Sequence, residues 1–115
     1  MEIPYQFERC PVEVTLDVIG GRWKAFIIWR LFEGPLRFSE LQRQIPGITQ
    51  KMLIQQLREL EKDQIIYRQV YPQVPPKVEY SLTELGLNLK PIVDAMCKWG
   101  RTHKKQVEAL RTANS

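Results

Sequence analysis

The sequence predicts a mostly helical α+β fold in which a single two-stranded hairpin stands among helices. Three observations carry this. Apolar residues recur at helical spacing through most of the chain. Between Ile65 and Leu82 the pattern changes to "IIYRQVY" and "KVEYSL", rich in β-branched and aromatic residues and, in the second half, strictly alternating. Pro72, Pro75 and Pro76 lie between these two runs, where a stiff loop would join them.

The elements follow in order. "PVEVTLDVI", Pro11 to Ile19, is a short helix: Pro11 suits a first helical position, Val12, Leu16 and Ile19 share a face, and Gly20-Gly21 ends it. "WKAFIIWRLFE", Trp23 to Glu33, is apolar nearly all round and is expected to be the central core helix, stopped by Gly34-Pro35. Ser39 precedes a short helical pattern with Leu41 and Ile45, broken at Pro46-Gly47. Thr49 is the next N-cap, with Ile48 placed as a hydrophobic staple, and a helix runs from there to about Asp63 with Leu53, Leu57 and Leu60 on one face. The inward face of the first strand is left open by its imperfect alternation. Thr83 caps a last helix along which Leu85, Leu89, Ile92, Met96 and Trp99 recur, with Pro91 demanding a kink or restart. The polar tail after Leu110 is expected to fray. Helix, helix, short helix, longer helix, hairpin and long helix is the order of a winged helix-turn-helix, whose second helix enters a major groove beside a projecting wing.

Composition bounds the function. A chain of 115 residues fits one domain, 1–115, with its core in about 10–100 and the end of the last helix and the tail in 101–115. A net charge of +4 permits a polyanionic partner without requiring one. No apolar run reaches the roughly 20 residues of a membrane helix. "MEIPYQFERC" does not have the pattern of a secretory signal, and two cysteines suit a reducing cytoplasm. No phosphate loop, Ser-His-Asp set, carboxylate pair or zinc spacing is present, so the reading is of a non-enzyme without cofactor or metal. His103, within "RTHKK", reads as a surface residue.

The chemistry concentrates on the helix after Thr49. Lys51, Gln55, Arg58 and Lys62 fall at i, i+4, i+7 and i+11, opposite the leucine face, with Gln50 and Ile54 flanking them. Gln can pair bidentately with adenine, Arg or Lys with guanine, and an apolar side chain can meet the thymine methyl; Lys62 is placed for a phosphate. A solvated helix face has the same composition, but it explains neither the short helix before nor the hairpin after. On the hairpin, Arg68 and Lys77 are placed for phosphates, and the prolines pre-order an unpaired tip. A winged-helix module that binds protein rather than DNA is the alternative, and it would more often carry apolar or acidic residues on that stripe.

Cys10-Pro11, "GGRW" at Gly20 to Trp23, "ITQKMLIQQLRELE" at Ile48 to Glu61 and "VYPQVPPKVEYSLT" at Val70 to Thr83 together resemble the HxlR-type branch of winged helix regulators, relatives of the MarR type. The resemblance spans roughly Cys10 to Gly100. It implies a cytoplasmic, DNA-binding transcription regulator that acts as a homodimer on a palindromic operator. It implies N- and C-terminal dimerisation helices, and the stripe Leu85, Leu89, Ile92, Met96 and Trp99 fits such a seam. Ile54 and Gln69 depart from the small polar residues often found there. Part of the family senses quinones, aldehydes or oxidants through a cysteine at the position of Cys10. Here the helix N-terminus and Arg9 favour a thiolate, so Cys10 is the candidate sensor of an electrophile or oxidant. Cys97 reads as a packing residue, and a disulfide from Cys10 to a cysteine of the other subunit is compatible with a dimer that brings them close.

Overall fold

The computed structural model describes residues 9–114. In chain order the elements are α1 (Pro11–Ile19), α2 (Lys24–Leu31), α3 (Phe38–Gln44), α4 (Gln50–Lys62), β1 (Ile66–Tyr71), β2 (Lys77–Leu82), α5 (Glu84–Leu87) and α6 (Lys90–Ala113). No helix among the described residues is long and apolar enough to cross a membrane.

α2 is the central helix. Ile27 and Ile28 are fully buried and Leu31 nearly so, and they meet Leu41, Ile45 and Ile48 around α3, Leu53, Leu57 and Leu60 of α4, and Ile65, Ile66 and Leu82 at the base of the hairpin. The leucine face of α4 is therefore the core face expected from its period. Ile48 is buried with Leu53, four positions into α4, as a staple requires. Thr49 caps α4 by accepting the Met52 N–H at 3.1 Å. The α3 cap differs from expectation. Ser39 lies inside the helix; Arg37 is the N-cap residue, and the Glu40 carboxylate accepts its backbone N–H at 2.9 Å.

α4 ends without glycine. Gln64 adopts φ 57°, while the Ile65 N–H reaches the Leu60 carbonyl at 2.9 Å and the Gln64 N–H reaches Glu61 at 2.9 Å. This is a Schellman closure, and its buried Leu60–Ile65 pair offsets the cost of a left-handed non-glycine residue.

β1 and β2 pair antiparallel, from Ile66↔Leu82 through Arg68↔Tyr80 to Tyr71↔Lys77. The prolines lie between the strands, outside the ladder. Directly opposed residues share a face. One face therefore carries Ile66, Arg68, Val70, Val78, Tyr80 and Leu82, and the other carries Tyr67, Gln69, Tyr71, Lys77, Glu79 and Ser81. A third segment joins the ribbon: Leu36 and Tyr80 exchange both backbone hydrogen bonds, at 3.0 and 2.8 Å.

Pro91 restarts the last helix rather than kinking it. α5 ends at Leu87, and α6 begins at Lys90 with Pro91 in its first turn, where the missing N–H is harmless. Thr83 caps α5 by accepting the Gly86 N–H at 3.1 Å, and its hydroxyl also lies 2.6 Å from the Gln64 carbonyl. The chain after Leu110 continues as helix to Ala113 instead of fraying.

The break changes the predicted stripe. Leu85 sits on α5, Leu89 packs against the core, and Ile92, Met96 and Trp99 stand exposed on α6. Val93 is the buried residue of α6, and none from 98 to 113 is buried. The radius of gyration, 17.0 Å, exceeds the roughly 13 Å of a compact chain of this size, in keeping with a helix that projects from the body. α1 also differs from the expected inward face, since Ile19 is buried but Val12 and Leu16 are exposed.

Candidate nucleic-acid interface

α3, the Pro46-Gly47 turn and α4 form the helix-turn-helix. Gly47 takes φ +87°, a conformation that favours glycine, and so lets the chain reverse between the two helices. With Leu53, Leu57 and Leu60 turned inward, Gln50, Lys51, Gln55, Arg58 and Lys62 are exposed and Ile54 is half-buried. Gln50, Lys51, Ile54, Gln55, Arg58 and Glu59 line one shallow depression along the helix. Five of the six helix residues expected from sequence thus converge; Lys62 lies beyond them in the last turn.

A second groove separates α4 from the wing. Phe38, Ile54, Leu57, Arg58, Glu61, Arg68, Val78 and Tyr80 border it. This settles which face of β1 looks inward: Arg68 and its cross-strand partner Tyr80 face α4. Arg68 Nε lies 3.9 Å from Glu61. The Tyr80 hydroxyl is held above the ordinary tyrosine range, first by burial and then by the Glu61 charge, against the opposing pull of Arg68 and Arg58.

Lys77 does not join this groove. It lies on the other face of the ribbon, 3.6 Å from Glu79 and 5.0 Å from the Tyr71 ring centroid. The Tyr71 hydroxyl is raised, chiefly by its hydrogen bond to Glu79.

Two acids escaped the sequence reading. Glu59 follows Gln55 by four residues and therefore falls on the basic stripe, where it meets Lys24 of α2 at 3.7 Å. Glu61 borders the wing groove. The first was legible from the same wheel that revealed Lys51 and Gln55. The second required knowing where β1 folds back.

Cys10 and Cys97 lie where the sequence placed them, at the N-cap of α1 and against apolar residues, but their charged neighbours differ from expectation. Cys10 is the N-cap residue of α1 and makes no side-chain cap hydrogen bond. Arg9 is not a lone cation beside it: the guanidinium pairs with Asp17 and lies 4.0 Å from Glu13. Cys97 borders an apolar groove with Phe26, Trp29, Val93 and Met96, and an Arg101 nitrogen lies 3.2 Å from its Sγ. Both thiols are free and half-buried.

Residues 18–108 match the family described as HxlR-like helix-turn-helix. The chain belongs to this family. The HxlR-like chain is 53% identical over 107 residues to the uncharacterized HTH-type transcriptional regulator YdeP of Bacillus subtilis, covering 93% of this chain and 84% of that one. Its fold superposes on the redox regulator HypR in its reduced form with a TM-score of 0.82 at 55% identity, covering 87% of this chain and 99% of HypR. The reduced form of the transcriptional regulator YodB from B. subtilis gives a TM-score of 0.71 at 44% identity, over 81% and 92% of the two chains. This HxlR-like protein is therefore a transcriptional regulator of helix-turn-helix type and not an enzyme.

Proposed function

We propose that this HxlR-like protein binds operator DNA as a homodimer, with α4 in the major groove and the wing beside it. The observation that carries the reading is the depression along α4, where Gln50, Lys51, Ile54, Gln55 and Arg58 converge on the face opposite the leucines. These side chains supply the donors, acceptors and apolar contact that base edges recognise, and Lys62 extends the cationic row toward the backbone. Footprinting of the intergenic DNA beside its own gene is the test. Protection at low salt that fades as salt rises is expected; a flat, unprotected trace even at low salt rules the reading out.

The dimer is supported by what α6 leaves uncovered. Ile92, Met96, Trp99 and Leu110 are 40–58% exposed and recur on one side of a helix whose distal half has no buried residue. Most helical stability in proteins comes from packing such an apolar face rather than from propensity. A second copy would cover this seam, and the exposed Val12 and Leu16 of α1 offer further apolar surface. Leu89 is assigned instead to its own core. Replacing Met96 and Trp99 by Asp is expected to shift the protein from dimer to monomer in sedimentation velocity and to abolish binding to a two-half-site operator. A double variant that still sediments as a dimer excludes the α6 seam.

We further propose redox or electrophile control through Cys10. Its place at a helix N-terminus and the similarity to HypR, a redox regulator by name, support this. Treatment with diamide or a quinone is expected to change DNA affinity in the wild type and not in Cys10→Ser. If Cys10→Ser responds fully and Cys97→Ser does not, the sensing thiol is the one beside Arg101.

A further inference from the structure

Glu61 is poorly placed for a surface acid. It occupies the last turn of α4, where the helix dipole disfavours negative charge, and it borders a groove that would face phosphates. Its side chain is 33% exposed, against 55% for that of Arg68, which approaches to 3.9 Å from the opposite wall. Arg68 stands across the ladder from Tyr80, and Tyr80 is itself bonded to Leu36 through both backbone groups. Above its core-packed base, the ribbon is thus held to the α2–α3 connection through Tyr80 and meets the recognition helix through Arg68.

We propose that Glu61 is a positioning residue, which clamps Arg68 against α4 and keeps it from serving as a free phosphate contact. The inference rests on the DNA-binding reading and refines it. In the clamped state the pair adds no net charge to the groove and fixes the spacing between wing and recognition helix. The clamp therefore limits the sequence-independent part of affinity, which a freed Arg68 would add on any duplex, and leaves the base contacts proposed for Lys51, Gln55 and Arg58 a larger share of binding. The residue lowers sequence-independent affinity by withholding a cation.

A double-mutant cycle on the full chain tests this, using the operator duplex and a duplex of scrambled sequence over a range of salt. Glu61→Gln is expected to tighten binding to the scrambled duplex several-fold and to steepen the slope of log affinity against log salt by about 0.9, the value for one more neutralised phosphate. Arg68→Gln alone leaves the Glu61 charge unpaired and is expected to weaken binding to both duplexes modestly without the drop in slope of about 0.9 that marks a lost phosphate contact, and in the Glu61→Gln background to cancel the gain. Weaker binding by Glu61→Gln, an unchanged slope, or a full one-phosphate loss from Arg68→Gln alone would each overturn the proposal. A readout without DNA separates its failure from that of the parent reading. The Nε–H resonance of Arg68 is expected to move in Glu61→Gln, and the Tyr80 hydroxyl is expected to titrate lower. If both stay fixed, no clamp exists. If both shift while the wild type binds no DNA, the clamp stands and the DNA-binding reading falls.

Discussion

Replacing Lys51 and Arg58 together by alanine is expected to weaken operator binding by about 2–6 kcal/mol, taking roughly 1–3 kcal/mol for each contact. Fluorescence anisotropy with a labelled duplex would measure it. Both side chains are exposed and project from the side of α4 opposite Leu53, Leu57 and Leu60, so the melting temperature should hardly move. The single variants carry the mechanism. If Arg58 pairs with a guanine, Arg58→Ala relaxes the preference at one base pair and leaves other positions selective. If Lys51 meets a phosphate, Lys51→Ala weakens all duplexes alike and lowers the salt slope by about one. A double variant that binds the operator as tightly as the wild type would remove α4 as the reading helix.

Gly86→Ala is expected to destabilise the fold by about 3 kcal/mol, the upper end for forcing one extra carbon into packed surroundings. A Cβ built there lies 2.2 Å from the Ile65 carbonyl oxygen and 3.0 Å from a Leu82 methyl. The carbonyl cannot retreat easily, because it accepts the Thr83 N–H at 3.0 Å and lies 3.0 Å from the Thr83 hydroxyl. α5 must therefore lift from the base of the ribbon. For a domain of this size the melting temperature should fall by roughly 10 °C or more, at about 4–8 °C per kcal/mol. Thermal unfolding followed by circular dichroism checks this, and an unchanged midpoint would show that α5 is free to move.

Gly86 also shows where a linear reading stops. In "TELGL" it looks like an ordinary helical glycine, and only the approach of Ile65, 21 positions earlier in the chain, gives it a purpose. Glu61 is similar: as a helix residue it is unremarkable in type, and its meaning comes from the strand that folds Arg68 against it. The Leu36–Tyr80 bridge had no signal at all, because a single residue pair has no period to detect. The stripe expected from Leu85 to Trp99 is split between two helices at the restart that Pro91 signalled. What could not be seen is that Leu89 would turn into the core at the break while Ile92, Met96 and Trp99 remained outside.

By itself, the sequence determined the features that depend on near neighbours. The leucine face of α4 and the polar stripe opposite follow from a period of 3.6. The caps at Thr49 and Thr83 follow from a hydroxyl beside orphan N–H groups, and the proline tip from residues unable to join a ladder. The HxlR-type motifs could be read in the same way, as short strings in order. Tertiary structure alone decided which face of the wing looks at α4, that Lys77 lies away from that groove, and that Arg68 meets Glu61. It also decided that the closing turn of α4 rests on Gln64 in a left-handed conformation. These depend on which surfaces meet once the core has closed, and helical or strand periodicity carries no information about a partner far along the chain.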